Sequence, residues 1–109
     1  MAIRQTHNVR YYKMDLKKET KEYLSYVRKH PCLVCAKSNV DCDHLQIRGM
    51  GGRGRKGTHS GTIIDFSCVP LCREHHTQRH SIGVKAFGIY HKIDLWKEAF
   101  LLLRGWYVE

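Results

Sequence analysis

The stretch Val69-Pro70-Leu71-Cys72-Arg73-Glu74-His75-His76-Thr77-Gln78-Arg79-His80 decides how this chain is read. The run from Ile63 to Leu71 is apolar and partly β-branched, which predicts a strand. Pro70 near its end suits an edge or a strand terminus. The polar run from Cys72 to His80 predicts a short helix. Metal-ligand residue types crowd this junction. Cys72 and His75 are two residues apart, His76 follows at once, and His80 comes one helical turn later. Histidines at i and i+4 share a helix face and can share an ion.

Upstream, Cys32-Leu33-Val34-Cys35 is a tight turn with the same two-residue spacing. Each pair can chelate one ion from a single turn. Cys32, Cys35, Cys72 and His75 together complete a tetrahedron of the structural zinc (Zn²⁺) type. Residues 36 to 71 between the pairs exceed what a simple zinc ribbon needs, so they must carry structure of their own. Residues 40 to 47 alternate loosely and predict a first strand, which bears Asp43 and His44. Cys42 and Cys68 have no partner at ligand spacing and read as small buried hydrophobes. Five cysteines are an odd count, which argues against a disulfide framework. A zinc site of this kind is worth on the order of 10 kcal/mol of folding energy in model peptides.

A second ion is expected on Asp43, His76 and His80. One carboxylate and two imidazoles leave coordination positions open, as a catalytic rather than a structural site does.

The flanks supply the remaining elements. Residues 1 to 14 read as an irregular basic arm. Asp15 is the expected N-cap of a helix running to about Lys29, with Leu16, Thr20, Tyr23, Leu24 and Val27 on its buried face. Pro31 ends it near His30. Residues 81 to 93 predict another short helix and a turn. Asp94 caps a last helix with Leu95, Ala99, Leu102 and Leu103 inward, and Gly105 is expected to close it at C′. The fold class is α+β: a small two-stranded β-hairpin plus helix, flanking helices and a zinc site, in one domain over residues 15 to 109.

Composition narrows the partners. The 109 residues carry 19 Lys and Arg against 10 Asp and Glu, a formal charge of +9. Such a balance attracts polyanions, most often nucleic acid. No stretch nears the roughly 18 apolar residues of a membrane span. Met1 to Tyr12 is polar and basic, unlike a secretory signal. A reducing cytosol is the expected location. Between His44 and Asp65 there is no acidic residue, and the stretch holds Arg48, Arg53, Arg55, Lys56 and six of the nine glycines. Glycine lets backbone N–H groups approach phosphate while arginines add charge. Arg73, Arg79 and Lys85 are expected to extend this basic face. No element is long enough to read bases in a groove, so low sequence specificity or readout of DNA shape is expected.

Cys32-x-x-Cys35, Asp43-His44 and the run Val69 to His76 together resemble the HNH (ββα-metal) nuclease family. Within it the chain is most similar to the small phage Ref-like nucleases. They share the Cys-x-x-Cys, the glycine and basic stretch, the Val-Pro-Leu-Cys-x-x-His-His run and a segment like His80 to Phe87. The likeness covers about residues 24 to 105. It implies a hairpin and a helix clasping one catalytic divalent ion. By position, His44 matches the general base, and Asp43 and His76 match metal ligands, with His80 joining them. The family's middle Asn, which orients the base, has no counterpart: Ser67 stands at about its place and Asp65 is nearby.

The resemblance implies a metal-dependent endonuclease that hydrolyses DNA to a 5′-phosphate and a 3′-hydroxyl. Mg²⁺ is the implied ion, with Mn²⁺ or Ni²⁺ able to substitute at imidazoles. It also points to a phage or prophage source, a bacterial cytoplasm and a recombination or phage protein partner. The alternative is a non-catalytic zinc-stabilised nucleic-acid-binding module. Such a binder has no need of Asp43, His44, His76 and His80 together.

Overall fold

A computed structural model describes residues 15–45 and 63–108. The order is helix α1 (Leu16–Arg28), strand β1 (Val40–His44), a 3-10 turn (Ile63–Ser67), strand β2 (Cys68–Cys72), then helices α2 (Arg73–Ile82), α3 (Val84–His91) and α4 (Leu95–Val108). This is an α+β fold with one two-stranded antiparallel sheet. The expected arm over residues 1 to 14 and most of the basic loop lie outside the described residues.

Asp15 caps α1 as its sequence position predicts, accepting a hydrogen bond from the Lys18 N–H at 3.2 Å. That satisfies one of the four orphan donors of the first turn. Thr20, Tyr23 and Val27 form the buried stripe, whereas Leu16 at the helix start is 39% exposed. The stripe packs on Cys68, with Phe66, Leu103 and Trp106 around it.

Every residue of β2 is buried. Two core clusters account for that. Val69, Leu71 and Cys72 join Cys32, Leu45, Phe87, Leu95 and Ala99, while Cys68 joins Tyr23 and Val27. A continuous apolar strand such as Cys-Val-Pro-Leu-Cys is what burial on both faces requires. The Leu33 N–H donates to the Pro70 carbonyl at 3.1 Å, latching the Cys32–Cys35 turn onto β2.

The structure corrects two expected element boundaries. The second strand does not begin at Ile63: residues 63–67 form the 3-10 turn and β2 starts at Cys68. Ser67 locks that turn, its hydroxyl donating to the Ile64 carbonyl at 2.7 Å and accepting from the Leu45 N–H at 3.2 Å. Nor does Gly105 end the last helix, which runs on to Val108. A Cβ at Gly105 would lie 2.8 Å from the Tyr26 hydroxyl, so glycine there lets α1 and α4 approach closely.

Gly83, at φ 90°, caps the end of α2 and opens α3. Side chains rarely take that conformation, and glycine allows the chain to turn sharply between the two helices. Among the described residues, no helix is long and apolar enough to cross a membrane.

Candidate metal centres and active site

The register of the hairpin places Val40 opposite Cys72 and His44 opposite Cys68. The start of β1 thereby lies beside the start of α2, and the Leu33–Pro70 hydrogen bond brings the Cys32–Cys35 turn to the same end of β2. Two groups of ligand atoms result, and the ligand atoms within each lie within 4.8 Å of one another: Cys32, Cys35, Cys72 and His75; and Asp43, His76 and His80.

In the first group, Cys35 Sγ and Cys72 Sγ are 3.7 Å apart, and His75 Nδ1 lies 3.7 Å from Cys32 Sγ and 3.2 Å from Cys72 Sγ. A tetrahedral ion with zinc-like bonds sets its sulfurs about 3.8 Å apart and sulfur from nitrogen about 3.6 Å. The four side chains therefore fit one tetrahedral ion and could hold zinc. Burial pushes the Cys32 thiol up, but backbone N–H groups of Cys72, Cys35 and Val34 and the His75 ring outweigh it and bring it down to about 6. The thiolate, the form that ligates a metal, is thus favoured before any ion binds. Cys68, in contrast, is held as a thiol, its acidity suppressed by its hydrogen bond with Cys42 and by burial.

In the second group, Asp43 Oδ1 lies 3.4 Å from both His76 Nε2 and His80 Nε2, and the two nitrogens are 3.0 Å apart. An ion with bonds of about 2.1 Å sets neighbouring ligand atoms roughly 3.0 Å apart in an octahedron and roughly 3.4 Å in a tetrahedron. The triangle fits either. The tautomers agree. His76 Nδ1 donates to Asp41 Oδ2 at 2.9 Å, which leaves the lone pair on Nε2, the nitrogen aimed at Asp43 and His80. Partial burial, then the Arg79 charge, lower the pKa of His80 and favour the neutral ring that can ligate. Asp41 is assigned no role from sequence alone. Its signal is the period of two along β1, which puts Asp41 on the same strand face as Asp43.

His44 Nε2 lies 2.7 Å from Oδ1 of Asp65, whose side chain is buried. The 3-10 turn delivers this carboxylate. Ser67, the residue expected near the orienting position, instead ties the turn to Leu45. An imidazole that donates Nε2–H to a carboxylate carries its lone pair on Nδ1.

Arg79 departs from the expected exposed basic face. It is only 8% exposed and grips both carboxylate oxygens of Asp43, with Nε to Oδ2 at 2.7 Å. It also donates to the His44 carbonyl at 3.1 Å. Arg79 follows His76 by three positions, so both lie on the inner face of α2. Arg73 keeps its expected exposure and reaches Asp41 at 3.3 Å. Arg48, Arg53, Arg55 and Lys56 lie outside the described residues.

The family model described as "Putative HNHc nuclease" matches residues 6–99. The chain belongs to this HNHc nuclease family. It is also similar to the uncharacterized protein YdfU of Escherichia coli (strain K12), with 35% identity over 60 residues, which cover 55% of this chain and 16% of that protein. The chain thus aligns with a small part of a much longer relative. No solved structure matches the chain.

Proposed function

We propose that this chain is a divalent-metal-dependent DNA endonuclease that hydrolyses phosphodiester bonds to a 5′-phosphate and a 3′-hydroxyl. The observation that carries this reading is the meeting of Asp43 Oδ1, His76 Nε2 and His80 Nε2 in a triangle that fits one ion. The adjacent residue His44 is backed by the carboxylate of Asp65.

Asp43, His76 and His80 would hold the catalytic ion, Mg²⁺ or a substitute. Such an ion, when bound, polarises the phosphate and neutralises charge on the leaving oxygen. The remaining work falls to side chains of this protein. His44 Nδ1 takes a proton from the attacking water. Asp65 fixes the His44 tautomer and ring orientation and stabilises the imidazolium as it forms. Asp41 holds His76 in the ligating tautomer. Cys32, Cys35, Cys72 and His75 would hold a structural zinc, which would join the Cys32–Cys35 turn to the first turn of α2 and so fix where His76 and His80 project. Arg48, Arg53, Arg55 and Lys56, with the exposed Arg73, are assigned to backbone phosphates.

The motifs resemble those of the small phage Ref-like nucleases, but the residue set against His44 here is Asp65, near rather than at the place of the family's Asn. A carboxylate in that role adds charge as well as a hydrogen-bond acceptor. The test is nicking of supercoiled plasmid by the zinc-loaded protein. Nicking is expected with Mg²⁺ or Mn²⁺ and none when the free divalent ion is chelated, with activity returning on readdition. DNA binding without cleavage under every divalent ion would instead favour a zinc-stabilised nucleic-acid-binding module.

A further inference from the structure

Arg79 contacts two of the three atoms assigned to the catalytic ion. Its guanidinium nitrogen donates to Asp43 Oδ1 and lies 3.4 Å from His80 Nε2. Its Nε donates to Asp43 Oδ2 at 2.7 Å. Asp43 is the one anionic member of that ligand set, and it is fully buried. The negative charge that would attract a divalent ion is therefore already matched by a buried guanidinium. The opposing carboxylates are otherwise engaged: Asp41 on His76 and Arg73, and Asp65 on His44.

We propose that Arg79 makes ion binding at Asp43, His76 and His80 depend on a bound DNA phosphate. A divalent ion entering beside Arg79 adds two positive charges to a set that holds one negative charge, itself already paired. In a site of low effective dielectric that excess is costly. A phosphodiester oxygen supplies the missing negative charge and a further ligand. Small hard cations in such sites are commonly held by one or two carboxylates together with substrate phosphate. Linkage requires the converse: the ion tightens DNA binding by the same factor. Arg79 is thus a positioning residue that orients Asp43 and sets the order of assembly. The inference rests on reading this triangle as the site of the catalytic ion.

The test uses the zinc-loaded full chain carrying His44→Ala, so that DNA stays uncut. Mn²⁺ binding is followed by electron paramagnetic resonance, with and without saturating duplex. Mn²⁺ affinity is expected to rise on the order of tenfold or more with duplex. DNA affinity, read by fluorescence anisotropy, should rise by the same factor with Mn²⁺. Adding Arg79→Gln should tighten Mn²⁺ binding without DNA by about tenfold and shrink the coupling; Arg79→Lys, which keeps the charge but not the two-point grip, should fall between. Equal Mn²⁺ affinity with and without duplex in the Arg79 protein overturns the proposal even if neither variant folds. So does coupling unchanged in a folded Arg79→Gln protein. Failure to bind DNA at any Mn²⁺ concentration would overturn the nuclease reading itself.

Discussion

Asp65 Oδ1 reaches Nε2 of His44 at 2.7 Å from the 3-10 turn, rather than from either strand of the hairpin. The contact gives the candidate base a buried carboxylate partner, and it separates two kinds of substitution. Asp65→Asn keeps an oxygen acceptor and removes the charge, while Asp65→Ala removes both. Nicking is expected to fall about tenfold in the first and toward the ~10²-fold loss of a mispositioned base in the second. A residue that served only to fold the turn would lower zinc content or melting temperature in parallel. Equal activity in both variants and the wild type would count against the assignment.

Asp41 predicts a different phenotype. It accepts a hydrogen bond from His76 Nδ1 at 2.9 Å and so would act on the proposed ion through a ligand. Asp41→Ala should raise the Mg²⁺ or Mn²⁺ concentration for half-maximal nicking by roughly 10- to 100-fold, with the saturated rate less affected. A fall in the saturated rate with no change in metal requirement would contradict this role.

Cys72 belongs to the proposed zinc site. Its Sγ is 3.7 Å from Cys35 Sγ and 3.2 Å from His75 Nδ1, at the junction of β2 and α2. Cys72→Ala leaves three ligands in a small domain whose core includes Cys32 and Cys72 themselves. Loss of bound zinc and of the cooperative thermal transition is expected, since structural zinc contributes on the order of 10 kcal/mol. Folded wild-type protein that contains no zinc by metal analysis would show the site to be misread.

Tyr23 carries a stability prediction independent of either ion. Its hydroxyl is buried without a hydrogen-bond partner among the described residues, and burial raises its pKa above the ordinary tyrosine value. Its ring contacts Tyr26, Phe66 and Trp106. Tyr23→Phe keeps those contacts and removes an unpaired polar group, so stability should hold or rise by about 1 kcal/mol in a denaturant titration. A loss of similar size would mean that the hydroxyl is satisfied.

The parts of the fold legible in the sequence are those with short-range chemistry. The paired Cys-x-x-Cys and Cys-x-x-His spacings, Asp43 and the His76/His80 repeat each depend on one turn or one strand. The structure brings both sets together. Features set by tertiary contact were not legible. The Ile63 to Leu71 run is apolar throughout, and periodicity cannot separate a strand from a turn followed by a strand. The bonds that Ser67 makes to Ile64 and Leu45 decide between them. Asp65 meets His44 only because of that turn. Arg79 looks like one more surface cation until Asp43 is placed under it. Gly105 matches a helix stop by type, but its role is set by Tyr26 on another helix.

The most direct test of the central claim, that His44 is the base of a metal-dependent nuclease, is a comparison of plasmid nicking rates. Wild type and His44→Ala would be assayed across Mg²⁺ and Mn²⁺ concentrations, with zinc content and DNA affinity measured alongside. His44 is not among the three residues whose ligand atoms could hold the ion. Its loss should therefore leave zinc and DNA binding nearly intact while slowing cleavage by ~10²-fold or more at every metal concentration. His44→Ala protein that nicks at the wild-type rate would contradict the claim.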